Sequence, residues 1–330
     1  MMPWKRSPGN EALECRGGWE STSDAVDPNQ SPAAPIHSSG CSNVGPANPP
    51  TLQLRPVSPA IGIEARGIDL SQPLSARDFD RLHSAWLETG LLILRNQALS
   101  PSQQIAFTRR FGEILTYTRS ENAHPDHPEL LLLSNMLRDG RPCGSPASGR
   151  YWHSDGHFLR RPPSASLLFG VIVPPIGGDT WFANMTMAYD ALPQETKDRI
   201  DRLRVIISRV RSRPYNYPDK PPVTAAERAV WPDMDQPMVR THPETGRKAL
   251  YVGGNVPWLV EKMEESESTP LVSGLQAHAV QERFVHIHRW RQGDLVIWDN
   301  RSTLHRATGY DQAGSRRHMH RTSVAGDLPV

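Results

Sequence analysis

The chain has 330 residues, and 37 Lys+Arg stand against 35 Asp+Glu for a formal charge of +2. That length accommodates one large catalytic domain with a buried core, while the near balance of charge and the lack of a Lys/Arg run argue against a nucleic-acid partner. The longest apolar runs, such as 167–175, fall short of the ~20 residues a membrane helix needs, so no membrane span or membrane partner is expected. Three cysteines, Cys15, Cys41 and Cys143, do not make a disulfide framework. The opening Met1-Met2-Pro3-Trp4-Lys5-Arg6 lacks the following apolar segment of a secretory signal, and a reducing, cytoplasmic setting is the expectation.

Residues 1–50 hold 8 Pro, 5 Gly and 7 Ser without apolar periodicity. Such a stretch buries too little surface to offset its ordering entropy. We read 1–51 as a disordered tail, or sequence upstream of the true start, and 52–330 as one domain. Residues 61–66 alternate like a strand. Phe79, Leu82, Ala85 and Trp86 mark a helix over 78–88, which Gly90 ends before a strand at 91–94. Pro101 opens a second helix that runs to Phe111, with Gly112 as its stop.

From Glu129 onward short apolar or alternating runs follow one another at 130–133, 167–173, 180–183, 205–210, 249–252, 285–290, 295–298 and 317–324. Helical segments intervene at 193–204 and 270–280. Many short strands with few helices predict a mainly β fold with flanking helices, built on a double-stranded β-helix (jelly roll) core.

The sharpest local feature is Tyr151-Trp152-His153-Ser154-Asp155-Gly156-His157-Phe158. Residues two apart in a strand face one side, so His153 and Asp155 present an imidazole and a carboxylate to one point. Two histidines and one carboxylate with open positions suit Fe(II) oxygen chemistry. His-x-Asp alone is unspecific, and a second copy, His124-Pro125-Asp126, sits in a loop that Pro125 breaks. Two contexts favour His153 and Asp155. A hydrophobic strand pair closed by Gly177-Gly178-Asp179-Thr180 follows them, and far downstream Trp298-Asp299-Asn300-Arg301-Ser302-Thr303-Leu304-His305 presents a single histidine. A jelly roll brings such remote strands to one barrel mouth. Arg317 then falls on the next strand, where its donor fork suits a distal carboxylate.

The blocks Leu99-Ser100-Pro101-Ser102-Gln103-Gln104-Ile105-Ala106-Phe107, Trp152-His153-Ser154-Asp155, Gly177-Gly178-Asp179-Thr180, Ala188-Tyr189-Asp190-Ala191-Leu192-Pro193 and Gly293-Asp294-Leu295-Val296-Ile297-Trp298-Asp299-Asn300 resemble, in order, the taurine dioxygenase and 2,4-dichlorophenoxyacetate dioxygenase family. The likeness runs from about Gly62 to Val324 and is nearer to the phenoxyacetate branch. It implies an oxidoreductase that uses Fe(II), 2-oxoglutarate and O2, with His153, Asp155 and His305 as metal ligands. It further implies that Thr180 and Arg317 hold the far carboxylate of 2-oxoglutarate. Arg316 competes for that role, and strand alternation lets only one of the two serve.

For the substrate, the resemblance implies a small organic acid. Leu115-Thr116-Tyr117 replaces a segment where taurine enzymes carry a substrate-binding histidine, which favours an aryloxyalkanoate-like carboxylate over a sulfonate or alkyl sulfate. Tyr117, Arg321 and His157 are candidate substrate contacts. For Arg321 the competing reading is an ion pair, and for His157 a structural histidine. His286 and His288 read as one polar face of a strand, and His318 and His320 as the face opposite Arg317. Trp152 and Trp298 read as packing around the site, Met185 and Met187 as core, and His242 either as a site contact or not. A cupin-type binding module on the same fold is the reading from a different class; it would not need the Thr180/Arg317 anchor. Either kind of protein can act as a homo-oligomer.

Overall fold

The computed structural model describes residues 51–116, 122–145, 148–218, 220–253 and 258–330. Apart from Thr51, the tail expected over 1–51 lies outside the described residues, and so does Tyr117. Local sequence explains the first two helices. Ser75 accepts the Asp78 N–H to start Ala76–Thr89, and Gly90 ends it in the left-handed region at φ 75°. A capping box of Ser100 and Gln103, with Pro101 in the first turn, starts Pro101–Thr108.

Both helices cover one face of an eight-stranded sheet. Its order is Gln53–Pro56, Ile63–Arg66, Leu91–Leu94, Leu295–Asp299, Ala165–Ile172, His318–Val324, His127–Ser134 and Ala123–His124. The pairing of Ile63–Arg66 with Leu91–Leu94 is parallel; the other pairs are antiparallel. A three-stranded sheet, Val285–His288, Thr180–Asn184 and Thr303–Ala307, forms the second layer. From Leu295 the chain passes from the large sheet to the small one and back, which is the winding of the expected jelly roll.

Strand alternation sorts the core. Leu295 and Ile297 pack with Leu82, Trp86 and Phe107 on the helix side. Val296 and Trp298 turn inward to Leu91, Ile93, Leu168 and Met319, and meet Phe182 of the small sheet. With both faces covered, the central strands read as continuous apolar runs. A third cluster, which includes Met185, Tyr189, Val205, Leu250, Trp258, Val272 and Phe284, backs the small sheet through Ala183 and Leu304. Met185 is core as expected, and Met187 packs at the edge of that cluster.

Several expected boundaries move. The strand at 205–210 is Arg204–Ile207, because Ser208 accepts the Arg211 N–H and caps a helix over Arg209–Asn216. The helix at 193–204 is Gln194–Ile200, since Arg204 already pairs with Pro237. The helix at 270–280 starts earlier, as Glu265–Ala279, with Pro270 inside it. Met234–Pro237, Val239–Thr241 and Leu259–Val260 are short strands with no strong pattern, held by cross-strand partners.

Ile297 is fully buried between Leu92 and Leu167 of its neighbouring strands. Ile297→Ala should cost about 2–5 kcal/mol, read as a lowered urea midpoint at unchanged m-value; a cost below about 1 kcal/mol would contradict the packing described.

Candidate active site

His153 and His305, far apart in sequence, meet as an isolated antiparallel bridge. The His153 N–H donates to the His305 carbonyl at 3.0 Å, and the His305 N–H returns the bond at 2.8 Å. This sets the imidazole centroids 4.2 Å apart. Gly149 makes room: a Cβ there would lie 2.9 Å from His153 Cε1. His305 stands in the middle of Thr303–Ala307, and Trp298 packs 4.7 Å from its ring, centroid to centroid.

Directly after the bridge the chain turns at Gly156, in the left-handed region at φ 61°, and the Leu159 N–H closes the turn on the Gly156 carbonyl. Asp155 therefore points at the two histidines, its carboxylate oxygens 3.8 Å from His153 Nε2 and 3.9 Å from His305 Nε2. The turn ends the same-face series. His157 does not join the histidines at that point; its Nδ1–H donates to the Ser154 carbonyl, and its ring lies against Trp258 and Phe158.

The three ligand atoms lie within 4.8 Å of one another, and among the described residues no other group of His, Cys, Asp or Glu is so arranged. The His153 Nδ1–H donates to the Tyr151 carbonyl at 2.7 Å, which leaves Nε2 free to ligate. Burial pushes the Asp155 carboxyl up, but Arg321, His305 and His153, with the Ser166 hydrogen bond, outweigh it and hold the group well below the usual carboxylate range. Burial pushes both His153 and His305 down. An ionised carboxylate beside two neutral imidazoles is the protonation state that a divalent metal requires, and the donor set fits Fe(II).

Arg317 immediately precedes the strand His318–Val324 instead of opening it, and it is buried whereas Arg316 is exposed. Its guanidinium has no ion-pair partner among the described residues, and burial lowers its pKa. A buried cation without an anion is costly unless a ligand supplies the charge. Gly178 lies against it, with a hypothetical Cβ 3.6 Å from Arg317 Nε. Thr180, two residues on, is buried, and its hydroxyl accepts the Trp290 indole N–H at 2.9 Å.

Other candidates sort by contact. Arg321 donates to Asp155 Oδ1 at 2.9 Å, so the ion-pair reading describes it as it stands. His242 donates through Nε2 to Asp299 Oδ2 at 2.9 Å, behind the turn that leads to His305, and is not in the metal group. The Arg306 guanidinium lies over the rings of Trp181 and Trp152, at 4.2 and 5.2 Å from their centroids. His288 is buried 3.1 Å from Asp294, and His318 and His320 meet through their Nε2 atoms at 3.1 Å. His124, of the second His-x-Asp, accepts the Asp126 N–H in a two-residue edge strand. Sequence reasoning missed Ser166 and gave Asn300 no role. The signal for Ser166 was a lone hydroxyl inside an apolar strand.

Residues 53–323 match the model of the taurine catabolism dioxygenase TauD, TfdA family. The chain belongs to that family. It is 35% identical to the alpha-ketoglutarate-dependent 2,4-dichlorophenoxyacetate dioxygenase of Cupriavidus pinatubonensis, over 83% of this chain and 98% of that protein. It is 33% identical to the (S)-phenoxypropionate/alpha-ketoglutarate-dioxygenase of Delftia acidovorans, over 79% and 91%. The crystal structure of AAD-2 in complex with Mn(II) and N-oxalylglycine superposes with a TM-score of 0.72 at 34% identity, over 84% of this chain and 99% of that one. As a member of the TauD, TfdA family the chain is a 2-oxoglutarate-dependent dioxygenase, with Fe(II), 2-oxoglutarate and O2 as its cofactor and co-substrates. No described helix is long and apolar enough to cross a membrane.

Burial holds His157 and His318 at about 4 and His320 at about 3. In the unfolded chain each takes its proton near about 6.5. Below that pH the unfolded state binds more protons, so stability falls with acidification, by up to about 1.4 kcal/mol per pH unit for each histidine until the native pKa is reached. Urea midpoints at about pH 7.5 and about pH 5 should show the drop, and His320→Gln should flatten part of it; a profile unchanged by that substitution would count against a neutral buried His320.

Proposed function

We propose that His153, Asp155 and His305 hold Fe(II), that Arg317 with Thr180 takes the far carboxylate of 2-oxoglutarate, and that the enzyme hydroxylates a small organic acid of aryloxyalkanoate type. The observation that carries this reading is the buried, anion-less guanidinium of Arg317 in the same barrel as a two-histidine, one-carboxylate cluster. A cupin-type binding module would have no use for that cation. Bound Fe(II) supplies O2 activation coupled to oxidative decarboxylation of 2-oxoglutarate, giving succinate and CO2.

The chain's own residues do the rest. Arg317 fixes the dicarboxylate end-on, and a forked guanidinium sets its orientation as well as its affinity. Trp298 and Phe182 pack against the His305 imidazole and keep water from that side. Arg321, in contact with a metal ligand, is a candidate for the substrate's carboxylate, and His157 with Trp258 would border its body. One O2 oxygen enters the substrate as hydroxyl and the other enters succinate. On the carbon beside an ether oxygen the product is a hemiacetal, which breaks its C–O bond to release a phenol and an oxo acid. The 35% identity to a phenoxyacetate dioxygenase supports that class, while a sulfate ester dioxygenase of Pseudomonas putida at 32% keeps alkyl sulfates as the second reading. A cytoplasmic location and self-association are part of the same proposal.

The test is succinate formation with Fe(II) and 2-oxoglutarate across aryloxyacetates, aryloxypropionates, sulfonates, alkyl sulfates and amino acids. Aryloxyalkanoates should stimulate most; a clear preference for sulfonates or alkyl sulfates would overturn the substrate class. His305→Ala should abolish iron-dependent turnover. Arg317→Gln should raise the KM for 2-oxoglutarate at least about 30-fold, as expected for loss of a buried charge partner; an unchanged KM would remove Arg317 from the site.

A further inference from the structure

Asn300 is fully buried in the turn between the strand Leu295–Asp299 and the strand that carries His305. Its side chain has three partners. Oδ1 accepts the Asp155 main-chain N–H at 3.1 Å and the Trp298 indole N–H at 3.0 Å, and Nδ2 donates to Ser166 Oγ at 3.0 Å. Its main-chain carbonyl accepts the Ser154 hydroxyl at 2.6 Å, and its N–H donates to the Ser164 carbonyl at 2.9 Å.

The directions of these bonds are forced. An indole N–H and a main-chain N–H can only donate, so the oxygen end of the amide must face them. The amide nitrogen then faces Ser166 and donates to its oxygen. The Ser166 proton is thereby directed to its remaining neighbour, Asp155 Oδ2, at 2.7 Å. Arg321 occupies the other carboxylate oxygen at 2.9 Å. The carboxylate is therefore clamped from both oxygens.

We infer that Asn300 and Ser166 are positioning residues for metal uptake: a one-directional hydrogen-bond chain from the His305 turn locks the Asp155 carboxylate in its ligating orientation before the ion arrives. This rests on the reading of Asp155 as a metal ligand. Neither residue is among the three grouped donors, and each reaches them through Asp155. Partners of this kind tune affinity because an unclamped ligand must be ordered when the metal binds.

The test is Mn(II) binding to the purified full chain, with free ion followed by electron paramagnetic resonance and no turnover required. Ser166→Ala removes the bond to Oδ2. Asn300→Asp replaces the donor to Ser166 with an acceptor and so reverses the chain. Each should weaken Mn(II) by about 10–100-fold, and Ser166→Thr, which keeps the hydroxyl, should remain within about threefold of the parent. With saturating metal, the KM for 2-oxoglutarate should stay unchanged. A role in folding alone would lower the melting temperature without altering Mn(II) affinity of the folded protein or giving rescue by threonine. Parent-like affinity in both Ser166→Ala and Asn300→Asp overturns the inference. His305→Ala separates the two layers: if it abolishes Mn(II) binding while Ser166→Ala and Asn300→Asp do not change it, the positioning role fails alone, and if His305→Ala also binds normally, the metal-centre reading fails with it.

Discussion

The two main-chain hydrogen bonds exchanged by His153 and His305 hold the site together, because they join a turn in the first half of the domain to a strand near its end. Thr303–Ala307 is pinned on its other side by Thr180–Asn184, with His305 opposite Phe182. That register decides which face His305 presents. Leu304 turns to the cluster behind the small sheet, while His305 turns inward to Trp298 and Phe182. A slip of one residue would exchange the two faces and remove the ligand from the mouth of the roll.

Around that bridge the protein maintains charges that burial opposes. The Asp155 carboxylate is held ionised against burial by the Arg321 guanidinium and the Ser166 hydroxyl. Arg317 has no carboxylate partner among the described residues; the Tyr310 ring lies 5.9 Å from its guanidinium, and its backbone is held in place. The Arg317 N–H donates to the Asn135 side chain, and its carbonyl accepts the Asn135 N–H. The Asp155 carboxylate and the Arg317 backbone are thus each held in place by neighbouring groups.

The strand His318–Val324 shows how one element serves two ends. Met319 points into the core and Arg321 to Asp155. On the other face the His320 carbonyl accepts from Gln104 and Thr322 meets Thr108, which fixes the helix Pro101–Thr108 to the sheet. The cations on the inner face inherit their placement from these outer contacts.

Much of this was legible in the sequence, for local reasons. The stop at Gly90, the helix start at Pro101, and apolar runs with a period of two or fully buried follow from short-range sterics and burial. His153 and Asp155 do come together, but through a single bridge at His153 and the turn that holds Asp155 instead of the expected strand. The choice over His124 followed from the strand pair after Asp155 and the histidine downstream. The failures are equally physical. Ser208 capped a helix where an apolar run suggested more strand, and the turn at Gly156 cut His157 from a series that strand geometry would have continued. What the sequence by itself determined was which donor types the chain carries and the class of fold, because residue type and short-range periodicity are local properties. Which arginine is buried, that Arg321 serves Asp155, and that Asn300 directs Ser166 were decided only by tertiary structure, because hydrogen-bond direction and burial depend on neighbours more than a hundred residues away along the chain.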